Sequence, residues 1–494
     1  MTAMEGSVVV MRWRTAGWVA VTVFVGLVAP VAVAAAGIAG ATGGIYAPRD
    51  TSAPPARVEV AAAPVHDPGK PTAVVVLGSE GANVADALAP YEVLAATGAF
   101  NVYTAAPQRQ PVPLTGGLDL VPDFSFGQLD QRLPEGPEVV VVPQLSQVPS
   151  GLPPSIAPVI EWLQRQYVEG DPLLVGVCVG AEVLAEAGLL DGRPATSRWL
   201  RLIGLRRSHP AVRWQDGVRY VDDGDLITTA GVLSGIDGAL RVVERMVGPT
   251  AAARAARAVA WPDYSPGGPA PIRRSRPAPA DVVGLLSAGY RWDRPTTGVL
   301  LTDGVGETEL ASAFRPYTEL SYLAHPLAVT TDGQPIRSRH GLTFAPRADL
   351  ATAAPELDRL VVPGAKAARR GAADGLSLPG RLTPFYLHDR PGFAFDAALA
   401  DIARTRDVAT ARWVAKTLQY PTTDPPLTGP AWPWALTLRP ILTAAAAVGA
   451  VLGIQLVRRR RNAAAHAAQG PDRESTAEAQ ALSRVQGGND ATAH

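Results

Sequence analysis

Two stretches without a charged residue, one near each end of the chain, confine whatever folds in water to the segment between them. From Thr15 to Pro48 no Asp, Glu, Lys or Arg occurs, and the apolar core GWVAVTVFVGLVAPVAVAAAGIAG follows Arg12 and Arg14. A second run, PILTAAAAVGAVLGIQLV from Pro440 to Val457, ends directly in Arg458, Arg459, Arg460 and Arg461. At the rise of an α-helix this run covers about 27 Å, just enough for the hydrocarbon core of a bilayer. Trp432 and Trp434 stand where an interfacial aromatic belt belongs. The first run is longer than the core of a cleavable signal, which favours an anchor, while the small residues from Ala34 to Ala41 leave cleavage open. Basic clusters lie on the terminal side of both runs. The positive-inside rule therefore puts both ends in the cytoplasm and residues of about 42–430 outside the cell membrane.

A chain of 494 residues exceeds what one core organises. The expected division is a cytoplasmic N-terminus (1–14), an anchor or signal (15–41), a Pro/Ala-rich linker (42–69), a first domain (70–260), a second linker (261–280), a second domain (281–425), a transmembrane helix (432–457) and a basic cytoplasmic tail (458–494). The 45 basic and 45 acidic residues cancel, so no overall field draws the protein to nucleic acid, which is not an expected partner. The membrane and a small molecule are. With Cys178 as the one cysteine, neither an intrachain disulfide nor a Cys/His zinc cluster can form, and no metal or cofactor is implied.

Within the first domain, AVVVLG from Ala73, FNVYTAA from Phe100, EVVVVP from Glu138 and PLLVGVC from Pro172 are short apolar, β-branched runs separated by helical patterns. Continuous apolar strands alternating with helices describe an α/β domain with a parallel sheet covered on both faces. The pattern recurs. TAVVVLGSEGANVADALAPYEVL from Thr72 resembles TGVLLTDGVGETELASAFRPYTEL from Thr297, GGLDLVPDFSF from Gly116 resembles HGLTFAPRADL from His340, and VVVVPQL from Val139 resembles DRLVVPGAK from Asp358. After Gly364 no strand leading to a cysteine is expected, so the second domain reads as a degenerate, shortened copy without a nucleophile.

The segment DPLLVGVCVGAEVLAEAGLLDGR, Asp171 to Arg193, predicts a buried strand to Val177, a turn at Cys178, and a helix with Val183, Leu184 and Leu189 on its apolar face. Gly176 and Gly180 leave room for close backbone approach at such a turn, the logic of a nucleophile elbow. The helix N-terminus behind the sulfur would favour thiolate, which predicts a reactive thiol; a small apolar core residue is the equal alternative.

Together DALAPYEVL from Asp86, TGGLDLVPDFSF from Thr115, GVCVGAEVLAEAGLLDGRPATSRW from Gly176 and DDGDLITTAGVLSGIDGALRVVERMVG from Asp222 resemble the ThiJ/PfpI family of the class I glutamine amidotransferase-like superfamily, over about residues 70–250. The likeness is greatest to the branch with isocyanide hydratase and the ligand-side domain of AraC-type regulators. It implies a flavodoxin-like parallel sheet sandwiched by helices, followed here by the partial repeat. It further implies a site with Cys178 as nucleophile, Asp86 as its acid/base partner from the first βα loop, and Gly176, Val179, Gly180, Arg198, Gln144 and Gly117 in supporting or binding positions.

Two positions depart from the family. Arg198 stands where many relatives carry a histidine, and an arginine cannot act as general base; an exposed arginine is the commoner case, although it could hold a thiolate or an anionic ligand. His209, eleven residues on, could substitute spatially for that histidine, although Pro210 beside it makes an ordinary loop role the expectation. Gln144 replaces the first glycine of a loop that supplies oxyanion donors in hydrolytic relatives. Three functions follow from the resemblance: a small-molecule or redox sensor around Cys178, favoured because two supporting positions have changed; a cysteine-dependent hydratase or hydrolase of a small electrophile; or a non-catalytic scaffold in which the repeat forms a pseudo-dimer within one chain, with a homo-oligomer as a further possibility. No helix-turn-helix follows the first domain, which counts against direct regulation of transcription.

Overall fold

The apolar runs form strands where their composition places them. The computed structural model describes residues 2–46, 64–146, 153–268, 272, 274–380, 382–420 and 426–468, with side chains from residue 18 to residue 465. Most of the Pro/Ala linker, a few residues of the second linker, the end of the second domain at 421–425 and the tail beyond 468 lie outside the described residues.

By internal contacts the chain divides into Gly37–Leu436 and a unit made of the segments up to Ala36 and from Thr437 onward. In the latter, two helices are long and apolar enough to cross a membrane, Trp18–Thr42 and Trp434–Ala465. They touch: Gln455 Nε2 donates to Thr22 Oγ1 at 3.4 Å, and the Arg458 guanidinium lies over the Trp18 ring at 5.9 Å. A Cβ at Gly26 would come within 2.9 Å of Val448 Cγ2, so the small residue permits close packing.

In the larger unit the strands are β1 Thr72–Val76, β2 Asn101–Ala106, β3 Val112–Leu114, β4 Leu118–Val121, β5 Phe124–Ser125, β6 Val139–Val142, β7 Leu173–Gly176, β8 Pro194–Thr196, β9 Arg213–Gln215, β10 Tyr220–Asp222 and β11 Leu226–Thr229. Seven of them make a sheet of order β10-β11-β7-β6-β1-β2-β5, parallel except for β10 against β11. Every residue of β1, β6, β7 and β11 is buried, as a sheet covered on both faces requires. The helix Val84–Ala95 is buried from Val84 to Leu94, and Asn83 caps it by accepting from the N–H groups of Ala85 and Asp86.

The remaining strands are β12 Thr296–Leu300, β13 His325–Thr330, β14 Ile336–Arg337, β15 Thr343–Ala345, β16 Ala348–Asp349, β17 Arg359–Val362 and β18 Pro384–Tyr386. Five make a wholly parallel sheet, β16-β13-β12-β17-β18, the order in which β5-β2-β1-β6-β7 lie in the first sheet. The hairpins β3–β4 and β14–β15 join through antiparallel β4 and β15, with Leu120 opposite Phe344, and the helices Val84–Ala95 and Glu307–Phe314 pack together.

Three expectations are corrected. A strand, β18, exists where the Gly/Arg/Pro-rich sequence masked it; three residues paired in parallel with β17 suffice, because the partner supplies the hydrogen bonds. The elbow helix spans only Gly180–Glu186, ending two residues before Gly188 at φ +74°, so Leu189 lies beyond it. The expected spacer from Trp261 begins as packed structure: Trp261 is buried, donates to Asp237 Oδ1 at 3.0 Å and stacks edge-on against Phe393 of the second half at 5.1 Å.

Candidate functional site

Cys178 follows β7 with φ +57°, a conformation that costs an L-residue strain and that the fold must hold in place. The two glycines make this turn possible. At Gly180 a Cβ would lie 1.9 Å from Val142 O, and at Gly176 2.9 Å from Leu184 Cδ1 and 3.1 Å from Ala181 Cα. The turn is braced from two sides, as Cys178 N donates to Thr229 Oγ1 at 3.2 Å and Ser197 Oγ donates to Cys178 O at 2.8 Å. Both braces lie in segments that carry the family resemblance, although nothing in their spacing marked them.

The thiol is completely buried, as are Asp86 and, nearly so, Gln144 and Arg198. Burial pushes the Cys178 thiol well above its ordinary value, with the Asp86 charge acting in the same direction and Arg198 opposing. This corrects the expected thiolate: a seven-residue helix offers too little field to offset complete desolvation. Burial, with the Glu319 charge second, raises the Asp86 carboxyl from 3.8 to about 7. Asp86 Oδ2 accepts from Gln144 N at 3.3 Å, so the backbone donor that the loop after β6 offers is turned to Asp86.

Arg198 is not exposed. Its Nη1 donates to Glu319 Oε1 at 2.8 Å, a pair in which both side chains are 7 % accessible. Gln144 does not merely crowd its loop: its Nε2 donates to Glu319 Oε1 at 3.2 Å and to Tyr46 Oη at 3.2 Å. Asn83 Nδ2 donates to Glu319 Oε2 at 2.6 Å, and Arg315 Nη1 to the Glu319 carbonyl at 2.6 Å. Although burial opposes it, the neighbouring Arg315 and Arg198 guanidiniums hold the Glu319 carboxyl down at about 2, so this carboxylate is ionised. Glu319 and Arg315 were missed in the sequence. Glu319 lies 236 residues from Asn83, and no local pattern links them.

Gly117 and His209 belong elsewhere. Gly117 sits in the β3–β4 turn at φ +88°, where a Cβ would meet Arg347 Nη1 at 3.2 Å and Pro326 O at 3.4 Å. His209 pairs with Glu186 at 3.2 Å on the surface. Val179 is buried between Cys178 and Gly180 and accepts from Glu182 N at 2.9 Å.

Two further clusters are found, one in the second half and one that joins Glu92 of the first half to the second. His388 stands two residues beyond β18 as Cys178 stands two beyond β7. It accepts from Gly364 N at 2.9 Å on Nδ1, which leaves Nε2 as the donor toward Ser312 Oγ at 3.0 Å, beside a cavity of about 350 Å³ lined by Glu309, Phe385 and Arg404. Glu92, Glu307 and His340 hold their ligating atoms within 4.8 Å of one another, a metal-type donor set among the described residues. Its carboxylates already accept from Arg339, Thr308 N, Ser338 and His340, so it is satisfied as an ion network.

Comparison with known proteins places this geometry in context. Residues 72–245 match the model of the DJ-1/PfpI family. The isonitrile hydratase of Pseudomonas putida is 32% identical over 168 residues, 33% of this chain and 67% of that protein. The HTH-type transcriptional regulator CdhR of Pseudomonas aeruginosa is 37% identical over 90 residues, 18% of this chain and only 26% of that protein. Among solved structures, a ThiJ/PfpI family protein from Pseudomonas syringae is 24% identical with a TM-score of 0.34, covering 41% of this chain and 83% of its own.

Proposed function

Because this chain belongs to the DJ-1/PfpI family, we propose that it is a membrane-anchored module that binds a small molecule or registers oxidation at the pocket around Cys178, and is not a standing catalyst. In this reading both termini are cytoplasmic, residues of about 42–430 face away from the cytoplasm, and nucleic acid is not a partner. The segments 281–420 are a duplicated, nucleophile-free copy of the first domain, an intrachain pseudo-dimer; the shared strand order and the TAVVVLG and TGVLLTD segments support the duplication.

One observation carries the choice of a binding module. The thiol has no solvent access, and the side-chain donors of the cluster around it and Asp86, namely Arg198 and Gln144, are already engaged by Glu319 of the second half. A nucleophile held as a neutral, buried thiol is poorly reactive at rest. The cysteine-dependent hydratase reading is favoured by a different feature, the strained elbow at φ +57° with a carboxyl titrating near neutrality in electrostatic reach.

The deciding measurement is the pH dependence of Cys178 alkylation in the full-length protein in detergent, with Asp86→Asn beside it. The expected thiol titrates above the range of free cysteine and reacts far more slowly than a free thiol. A thiol that titrates below that range, together with turnover of an isonitrile, sinks the sensor reading in favour of the hydratase.

A further inference from the structure

Glu319 lies in the first half as a bound ligand would. Its two carboxylate oxygens accept from Asn83 Nδ2, Gln144 Nε2 and Arg198 Nη1, three side chains borne by three separate loops of the first half. Asn83 follows β1, Gln144 follows β6, and Arg198 follows β8. The first two lie at the carboxyl ends of parallel strands, where open α/β sheets take their ligands. The carboxylate itself comes from the other half, on a segment in which Leu320 at φ +64° and Tyr322 at φ +53° hold left-handed backbone that such side chains resist.

The pocket is not saturated by this occupant. Arg198 Nε and Arg315 Nη2 are buried donors without a hydrogen-bond partner, and Asp86 Oδ1 and Gln144 Oε1 are buried oxygens without one. Two guanidiniums face a single ionised carboxylate, so with Asp86 protonated the cluster keeps a positive excess that an anion would neutralise.

We propose that the first half carries a binding site for a small carboxylate beside Cys178, and that Glu319 fills this site in cis as a tethered competitor of the ligand. The inference rests on the reading of the Cys178 pocket as a binding module and names its ligand class. Displacing the tether by a carboxylate ligand would uncouple the second half from the elbow, which supplies the sensor with its signal.

The test uses the full-length protein in detergent, with acetate and formate as probes and chloride at equal ionic strength as control. Glu319→Ala removes the tethered carboxylate while leaving Asn83, Gln144 and Arg198. Its thermal midpoint is expected to fall, and acetate well above its dissociation constant is expected to restore several degrees, as binding to the native state alone requires. Chloride is expected to restore none of it. Adding Arg198→Met to Glu319→Ala is expected to abolish the acetate response. Loss of the acetate response in Glu319→Ala, or its survival in the double variant, overturns the proposal.

Should Glu319→Ala fail to fold, hydrogen exchange of residues 315–323 in the unmodified chain decides: acceleration by acetate and not by chloride supports displacement, and an unchanged rate overturns it. The same responses are expected in a Cys178→Ala background. A carboxylate site that survives there while the thiol proves a working catalyst separates the fate of this inference from that of the sensor reading.

Discussion

Replacing Asp86 by asparagine removes one ionisable proton from the centre of the fold and leaves the shape nearly unchanged. In the folded protein burial and the Glu319 charge raise this carboxyl from 3.8 to about 7. A folded-state value above the unfolded one means that the folded protein holds the proton more tightly. The stabilisation from that proton is complete below about pH 4 and is lost as pH rises through about 7. A rise from 3.8 to about 7 corresponds to about 4 kcal/mol.

The asparagine side chain has no such dependence, and its carbonyl can still accept from Gln144 N as Asp86 does. The stability of Asp86→Asn relative to the parent is therefore expected to climb between pH 4 and pH 8 by up to about 4 kcal/mol. At roughly 2 °C per kcal/mol or less for a body of this size, the difference in thermal midpoint grows by up to about 8 °C. The assay is thermal unfolding of both full-length proteins in detergent at half-unit pH steps. Asp237, which burial raises to about 7, titrates in the same window but cancels in the difference. A difference that stays flat from pH 4 to pH 8 refutes the buried, proton-holding Asp86.

Other perturbations probe the same architecture. Gly180→Ala drives a Cβ to 1.9 Å from Val142 O, a rigid backbone atom, so a loss of about 3 kcal/mol or more and a lowered unfolding midpoint are expected. Arg198→Met leaves the Glu319 carboxylate buried with one cation fewer; a loss of about 3–5 kcal/mol in denaturant unfolding is expected, and an unchanged midpoint would mean that the pair contributes nothing. Phe344→Ala empties a fully buried site at the join of the two hairpins, with an expected cost of about 3–5 kcal/mol in the same measurement.

The strands and the elbow were legible because the rules behind them are local. A run such as VVVV at β6 has all four side chains buried and needs a sheet on both sides, whichever partners supply it. Likewise Gly176 and Gly180 flank Cys178 at the spacing that a tight strand-to-helix turn demands, and the turn is there at φ +57°. Strand β18 was hidden because Pro384 and the irregular residues before it carry no period of their own; pairing with β17 makes the strand.

The sequence by itself determined where the chain turns, which runs are buried in sheets, and which two segments are apolar enough for a bilayer. Only the tertiary structure decided the chemical state of the site. Cys178 is neutral, Asp86 holds its proton toward neutrality and Arg198 is engaged, because Glu319 and Arg315 arrive from the second half and water is excluded. Steric and periodic rules act over a few residues, but desolvation and charge pairing depend on whatever the fold packs against a group, however distant in the chain.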